Sequence, residues 1–327
     1  MSNTELTIFV NQKFPDENAN QLLAKSLSGH RVIFSKSLTN SNLAASTADP
    51  AIDDADIAFG QPDPAAVMTA PKLKWVHLTS AGYERYDRAD LRAALSGRGG
   101  ILTNSSSVYE EPCAEHIVAM IYALARQLPA SIVNQQGPKA WPANQLRRQS
   151  RLLTGQTVLL LSFGAIARRV VELLAPFRMN LIALRRNPTG KEPIKTITES
   201  QLDSILPTAD HVLNILPGGQ STKSFVTAQR LARMKPGSIF YNIGRGQTVD
   251  QNALIQSLTT GHLAAAYLDV TDPEPLPPDH PLWTTPNCHI TPHTAGGHVD
   301  EFERLVRHFL SNLERFRTNQ DLRDRII

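Results

Sequence analysis

Residues 157–177 read TVLLLSFGAIARRVVELLAPF, and this stretch decides the fold. TVLLL is a short run, apolar at nearly every position, suited to a strand buried on both faces of a parallel sheet. Ser162, Phe163 and Gly164 turn the chain. Beyond them Ile166, Val170, Leu173, Leu174 and Phe177 recur at three- and four-residue intervals, which puts one apolar stripe on a helix lying against the sheet. A strand, a glycine turn and a helix in that order make an anion site, because the helix start offers unpaired N–H groups and the positive end of its dipole.

The same rhythm extends in both directions. Downstream, residues 180–184 (NLIAL), 211–216 (HVLNIL), 238–243 (SIFYNI), 264–270 (AAAYLDV) and 288–291 (CHIT) read as further strands, with helical patterns between most of them. That defines a doubly wound α/β unit. Upstream, the apolar runs at 6–10, 31–34, 57–59 and 75–78, with an amphipathic stretch at 19–27, repeat a βαβ pattern. Residues 108–128 (VYEEPCAEHIVAMIYALARQL) are apolar on most sides and predict a long, largely buried helix leaving this first region. The polar stretch 134–151 reads as a loop. At the end of the chain, Val299, Phe302, Leu305, Val306, Phe309, Leu313 and Phe316 share one face of an amphipathic helix.

Composition bounds the function. A chain of 327 residues, 41% hydrophobic and 19% charged, has the size of two domains with a core in each, which excludes a disordered chain. Thirty-three Lys and Arg against 30 Asp and Glu, scattered along the sequence, give no basic arm for nucleic acid and no membrane-binding stripe. The slight surplus suits small anionic ligands. Cys113 and Cys288 are far apart and outside any CxxC spacing, so neither a disulfide framework nor a zinc site is expected. The opening MSNTELTIFVNQKF lacks a basic region followed by a long apolar run, and no stretch approaches ~18 uninterrupted apolar residues. The expectation is a soluble cytoplasmic protein that needs no metal.

Against the dinucleotide fingerprint G-x-G-x-x-G/A, Gly164 fills the second position, where the missing side chain admits a pyrophosphate. Ala167 is an accepted third residue, and Ser162 replaces the first glycine. One glycine of three also fits an ordinary βα turn; the flanking strand and helix favour the nucleotide. About 20 residues further on, where NAD-binding chains place an acidic residue on the ribose 2′-OH, this sequence has Arg185 and Arg186. An arginine pair can clamp a 2′-phosphate, which favours NADP(H) over NAD(H); the plain alternative is a solvated strand end.

Three candidate reactive residues stand just beyond three strands: Arg245 in Gly244-Arg245-Gly246, Glu274 in Asp272-Pro273-Glu274-Pro275, and His293 in Thr291-Pro292-His293. Ligands of open parallel sheets bind outside the carboxyl ends of the strands, so the three can converge on one crevice. Together they suffice for carbonyl reduction. Arg245 grips a carboxylate, His293 donates a proton, and Glu274 holds the imidazole tautomer and supports its protonated form. Taken singly, each has a bland reading as a surface or turn residue.

At these residues the sequence resembles the D-isomer-specific 2-hydroxyacid dehydrogenases, more narrowly their glyoxylate and hydroxypyruvate reductases. NIGRGQTVDQNAL (242–254), AAAYLDVTDPEPLPPDHPLW (264–283) and ITPHTAGG (290–297) are similar to the family's arginine, glutamate and histidine segments. The likeness covers nearly the whole chain from Trp75 onward and, more weakly, the first seventy residues. It implies a flavodoxin-like substrate domain of residues 1–103 plus 297–327, and a Rossmann dinucleotide-binding domain of residues 104–296. It implies that Ser162, Gly164, Ala165, Ile166, Leu216, Pro217 and Ile243 lie along the cofactor and that Asp269 contacts its nicotinamide ribose or carboxamide. Ser80, Ala81 and Gly82 match a loop whose backbone N–H groups bind the substrate carboxylate. Trp141 resembles a tryptophan that, in some hydroxypyruvate reductases, reaches into the neighbouring subunit, and the family is usually a homodimer.

The departures from the family are Ser162, the sequence Asn104-Ser105-Ser106-Ser107, and residues 217–225 (PGGQSTKSF). Ser162 bears on cofactor affinity. The leading expectation is therefore NAD(P)H-dependent reduction of a small 2-oxo acid of the glyoxylate or hydroxypyruvate type to the D-2-hydroxy acid. The alternative is a dinucleotide-sensing or scaffolding dimer with little turnover. A formate dehydrogenase is disfavoured because it lacks the glutamate partner of its histidine.

Overall fold

The structure, a computed structural model, describes residues 5–40 and 46–327. The chain divides into two compact units, Met1–Tyr109 with His298–Ile327 and Glu110–Gly297. In the first, β1 (Thr7–Gln12) leads through α1 (Glu17–Ser26) to β2 (Arg31–Thr39). Then follow β3 (Ile57–Gly60), α2 (Pro64–Thr69), β4 (Trp75–Leu78), α3 (Ala89–Gly97) and β5 (Ile101–Thr103). These strands are all parallel in the order β2-β1-β3-β4-β5, the flavodoxin-like arrangement.

The chain continues through α4 (Ser106–Ala125), α5 (Leu128–Gln136) and α6 (Ala143–Gln149). Next come β6 (Thr157–Leu160), α7 (Ala165–Leu174), β7 (Asn180–Leu184), β8 (Lys195–Ile197), α8 (Glu199–Ile205) and β9 (His211–Asn214). The second unit closes with α9 (Ala228–Arg233), β10 (Ile239–Asn242), α10 (Gln251–Thr259), β11 (Ala265–Leu268) and β12 (Cys288–Ile290). Its sheet is parallel in the order β12-β11-β10-β9-β6-β7-β8, with the topological switch between β6 and β9, as in a Rossmann domain. The final helix, α11 (Glu301–Arg317), belongs to the first unit.

Each unit buries its own core. In the first, Leu305, Val306, Phe309 and Leu313 of α11 pack with Phe59 and Trp75 of the sheet, and the Phe309 ring lies 4.3 Å from that of Phe59, centroid to centroid. Val108 and Tyr109 at the start of α4 join this core, which is why the division falls inside α4 and beyond residue 103. In the second, Leu159, Leu184, Val212, Phe240 and Leu268 of the sheet share a core with Leu202, Leu231 and Leu254 of its covering helices. Burying a side chain of this size contributes roughly 1.5–3 kcal/mol.

Four details differ from the reading of the sequence. The stretch 134–151 is not all loop, since α5 runs into it and α6 forms within it, with Arg147 and Arg148 in the last turn where cations suit the helix dipole. The long helix ends at Ala125, because Gln127 takes a left-handed φ of 57° and a new helix starts at Leu128. Val299 lies outside α11 and is exposed rather than sharing its buried face. The strands β5 and β8 are three residues each, too short for a period to show. No single helix among the described residues is long and apolar enough to cross a membrane.

Candidate active site

The carboxyl ends of β9 to β12 are adjacent in the sheet, and the segments beyond them carry the candidate residues. These strands stop one or two residues sooner than the apolar runs suggest, because the chain curls there into side-chain hydrogen bonds. Asn214 Nδ2 donates to Asn242 Oδ1 at 3.0 Å and to Thr248 Oγ1 at 2.6 Å. Asn214 Oδ1 accepts the Leu216 N–H and Asn242 Oδ1 the Gly244 N–H, while Asn242 Nδ2 and Thr248 Oγ1 donate to the Arg245 carbonyl. A buried network satisfied on this scale fixes one conformation, here that of the Gly244-Arg245-Gly246 turn. A Cβ on Gly244 would lie 2.5 Å from the Leu216 carbonyl oxygen, and one on Gly246 would overlap the Thr271 carbonyl. Both glycines are there for close backbone approach.

Glu274 is held at both oxygens. Oε1 accepts the Thr271 N–H at 2.9 Å, and Oε2 lies 3.0 Å from His293 Nδ1. Burial raises its pKa, but the hydrogen bonds from His293 and Thr271 and the positive charge of His293 and Arg245 outweigh that and hold the carboxyl below its usual value. The influence of Arg245 on Glu274 brings all three candidates into one electrostatic neighbourhood. Gln251 brackets the loop by accepting the Asp272 N–H and donating to the Asp272 carbonyl. His293 takes a left-handed φ of 54°, a region where histidine is enriched, and its N–H donates to the Asp269 carbonyl at 2.8 Å. The Asp269 carboxylate accepts the next two amides, Thr294 N–H at 2.8 Å and Ala295 N–H at 3.0 Å. In this chain Asp269 therefore anchors the segment that carries His293.

At the glycine turn, Gly164 caps α7, and a Cβ built on it would meet nothing within 4 Å. The space above the helix start is open, as the approach of a pyrophosphate requires. Ser162 turns its hydroxyl to the Ile215 carbonyl at 3.1 Å, so its polar group is taken up by the adjoining strand end. These features fit a dinucleotide. Pro217 is exposed, while Leu216 and Ile243 are buried at the same sheet edge.

At the end of β7 the two arginines part company. Arg185 Nη1 pairs with Glu192 Oε1 at 2.5 Å, and the Thr189 N–H and hydroxyl donate to the same oxygen. Those two bonds, aided by the Arg185 charge, pull the Glu192 carboxyl down to about 2. Arg186 is exposed and makes no hydrogen bond or ion pair among the described residues. Residues 185–194 form no helix, and a cavity of about 660 Å³ beside them is lined by Phe163, Val171, Leu181, Arg185 and Glu192.

In the first unit, residues 80–82 follow β4. The Ser80 carbonyl accepts the Ser105 N–H at 3.0 Å, and the Ala81 carbonyl accepts Asn104 Nδ2 at 2.6 Å. Across a trans peptide the N–H points opposite to the C=O, so the Ala81 and Gly82 N–H groups face away from Asn104 and Ser105. The departure at Asn104-Ser105 thus supplies the donors that orient this loop. Trp141 is 94% exposed on the segment between α5 and α6.

Sequence reasoning named Arg245, Glu274, His293 and Gly164 as candidates, and it missed the residues that hold the first three segments in place: Asn214, Asn242, Thr248, Gln251 and Thr271. Asn214 and Asn242 end two adjacent strands, which is the one local signal that could have found them.

Residues 118–295 match the family described as D-isomer specific 2-hydroxyacid dehydrogenase, NAD binding domain. The chain is 32% identical over 235 residues to a glyoxylate/hydroxypyruvate reductase B of Citrobacter koseri, covering 68% of each. It is 28% identical over 279 residues to formate dehydrogenase 2, mitochondrial, of Oryza sativa, covering 83% of this chain and 72% of that protein. Among solved structures, TT0316 protein from Thermus thermophilus is 28% identical, with a TM-score of 0.76 over 98% of this chain and 100% of that one. The chain belongs to the D-isomer specific 2-hydroxyacid dehydrogenase family, and it is an oxidoreductase with an NAD-binding Rossmann domain.

Proposed function

We propose that this enzyme reduces a small 2-oxo acid of the glyoxylate or hydroxypyruvate type to the D-2-hydroxy acid, with NADP(H) as the preferred cofactor. The observation that carries the reading is the 3.0 Å contact of His293 Nδ1 with a Glu274 oxygen. A carboxylate there keeps the proton on Nδ1 in the neutral ring and leaves Nε2 to deliver the second proton to the carbonyl oxygen. The bound dinucleotide would supply the hydride. Arg245 pairs with the substrate carboxylate and polarises the adjacent carbonyl. Oxidation of formate to CO2 gives up a hydride and moves no proton, so it needs no proton donor, and the Glu274 partner of His293 favours the 2-oxo acid.

NADP(H) preference is supported by Arg186, exposed at the end of β7, and by the absence of an acidic residue at the 2′-OH position. Arg185 would join the clamp by exchanging Glu192 for the 2′-phosphate. A cytoplasmic homodimer completes the reading. The homodimer is supported by the exposed apolar residues Leu128, Ile132, Val133, Trp141 and Leu152 on and around α5 and α6.

Initial rates of NADPH and NADH oxidation with glyoxylate and with hydroxypyruvate test the proposal. Faster oxidation of NADPH is expected. Faster oxidation of NADH would keep the reductase and discard the clamp, and no oxidation of either with a wider panel of 2-oxo acids would overturn the reductase reading.

A further inference from the structure

Three side chains outside the reactive set are joined to it in series. His116 Nε2, on α4, lies 2.5 Å from the Tyr267 hydroxyl, which lies 2.6 Å from Thr291 Oγ1. Thr291 Oγ1 in turn donates to Asp269 Oδ1 at 2.5 Å. The direction of the whole series follows from its last member. A carboxylate only accepts, so Thr291 gives its proton to Asp269 and must accept from Tyr267; Tyr267 gives its single proton to Thr291 and must accept from an Nε2–H of His116. Burial, foremost among the causes, pushes the Tyr267 phenol well above its usual range, so it stays protonated as a donor at neutral pH.

The series ends on the group that holds the histidine segment. Asp269, 3% exposed, accepts the amides of Thr294 and Ala295 through its carboxylate and that of His293 through its carbonyl. Any rotation of the carboxylate is passed to the backbone that directly follows His293, at Thr294 and Ala295. Satisfying a buried phenol needs one partner, whereas this chain supplies a donor and an acceptor and carries both to the same carboxylate.

We propose that His116, Tyr267 and Thr291 are positioning residues, a hydrogen-bonded relay that fixes the Asp269 carboxylate and thereby the angle at which His293 meets the substrate carbonyl. This rests on the reading of His293 as proton donor. Displacement of a reacting group by about 1 Å can cost about 10²-fold in rate, so even a partial rotation is measurable.

The experiment compares Thr291→Val, Thr291→Ser and Tyr267→Phe with the wild-type enzyme. It measures kcat and KM for the 2-oxo acid and for NADPH, and hydrogen–deuterium exchange of residues 290–297 in the protein without ligand. The expected result is a loss of about tenfold in kcat for Thr291→Val with KM for NADPH within about twofold, recovery in Thr291→Ser, and a smaller loss in Tyr267→Phe. Exchange of the Thr294 and Ala295 amides should quicken in Thr291→Val and Tyr267→Phe alone. Rates within about twofold of wild type in both, or a loss of kcat with unaltered exchange, would overturn the relay. Should Thr291→Val fail to fold, Tyr267→Phe, which keeps the ring, decides by itself. A wild-type enzyme without turnover would remove the proton-donor reading, and the exchange measurement would still decide whether the relay holds the segment.

Discussion

The edges of the second sheet on either side of its switch point are built differently. Beyond β11 and β12, Glu274 and His293 are each held by the backbone as well as by one another, and the turn of Arg245 sits on the network of Asn214, Asn242 and Thr248. Beyond β7, Arg185 has one ion pair and Arg186 none among the described residues, on a connection without a helix. In the proposed function the first edge holds reacting atoms, whose orientation enters the rate directly. In the same proposal the second recognises only a charge, which tolerates movement and is easily retuned.

The contrast can be broken at either end. The largest effect is expected of His293→Ala, which removes the proposed proton donor and should lower kcat about 10³-fold in steady-state assays; a rate near wild type would refute the assignment. Glu274→Gln keeps the shape but loses the charge that orients the ring, and a drop of about 10²-fold in kcat is expected. Gly246→Ala should lower the melting temperature by about 5 °C, as its Cβ overlaps the Thr271 carbonyl; an unchanged melting curve would show that this turn yields.

Deeper in the same unit, His211 is buried between Tyr241 and Gln156, and burial pushes its pKa down to about 4. Between pH 4 and about 6.5 the unfolded chain binds a proton that the native state does not, so stability should rise with pH across that window. Urea titrations at several pH values should show this slope, and His211→Gln should flatten it. The smallest effect belongs to Glu192→Gln. Releasing Arg185 should raise the NADPH to NADH ratio of kcat/KM about fivefold at most, given the modest worth of such pairs. An unaltered ratio would mean that Arg185 does not reach the 2′-phosphate.

Much of this was legible in residue order. The run at 157–177 has a period that only a strand, a turn and a helix satisfy, and the recurrence of apolar runs before and after it gave both sheets. Arg245, Glu274 and His293 could be read because each follows an apolar run directly, and parallel strands carry such positions to one edge. The strands β5 (ILT) and β8 (KTI), three residues each, did not stand out from the segments around them. Helix α6 was hidden because its residues are polar and pack against little.

What the sequence determined by itself was the alternation of elements, hence the class of fold, and the identity of the groups at the strand ends, because both depend on local periodicity and connectivity. Only the tertiary structure decided which partner each group has. Arg185 meets Glu192, Glu274 takes the Thr271 N–H on its second oxygen, and Asp269 receives two amides and the hydrogen-bonded series that begins at His116. Hydrogen bonds are made between atoms about 3 Å apart, and residues brought that close from up to 151 positions away leave no trace in their order along the chain.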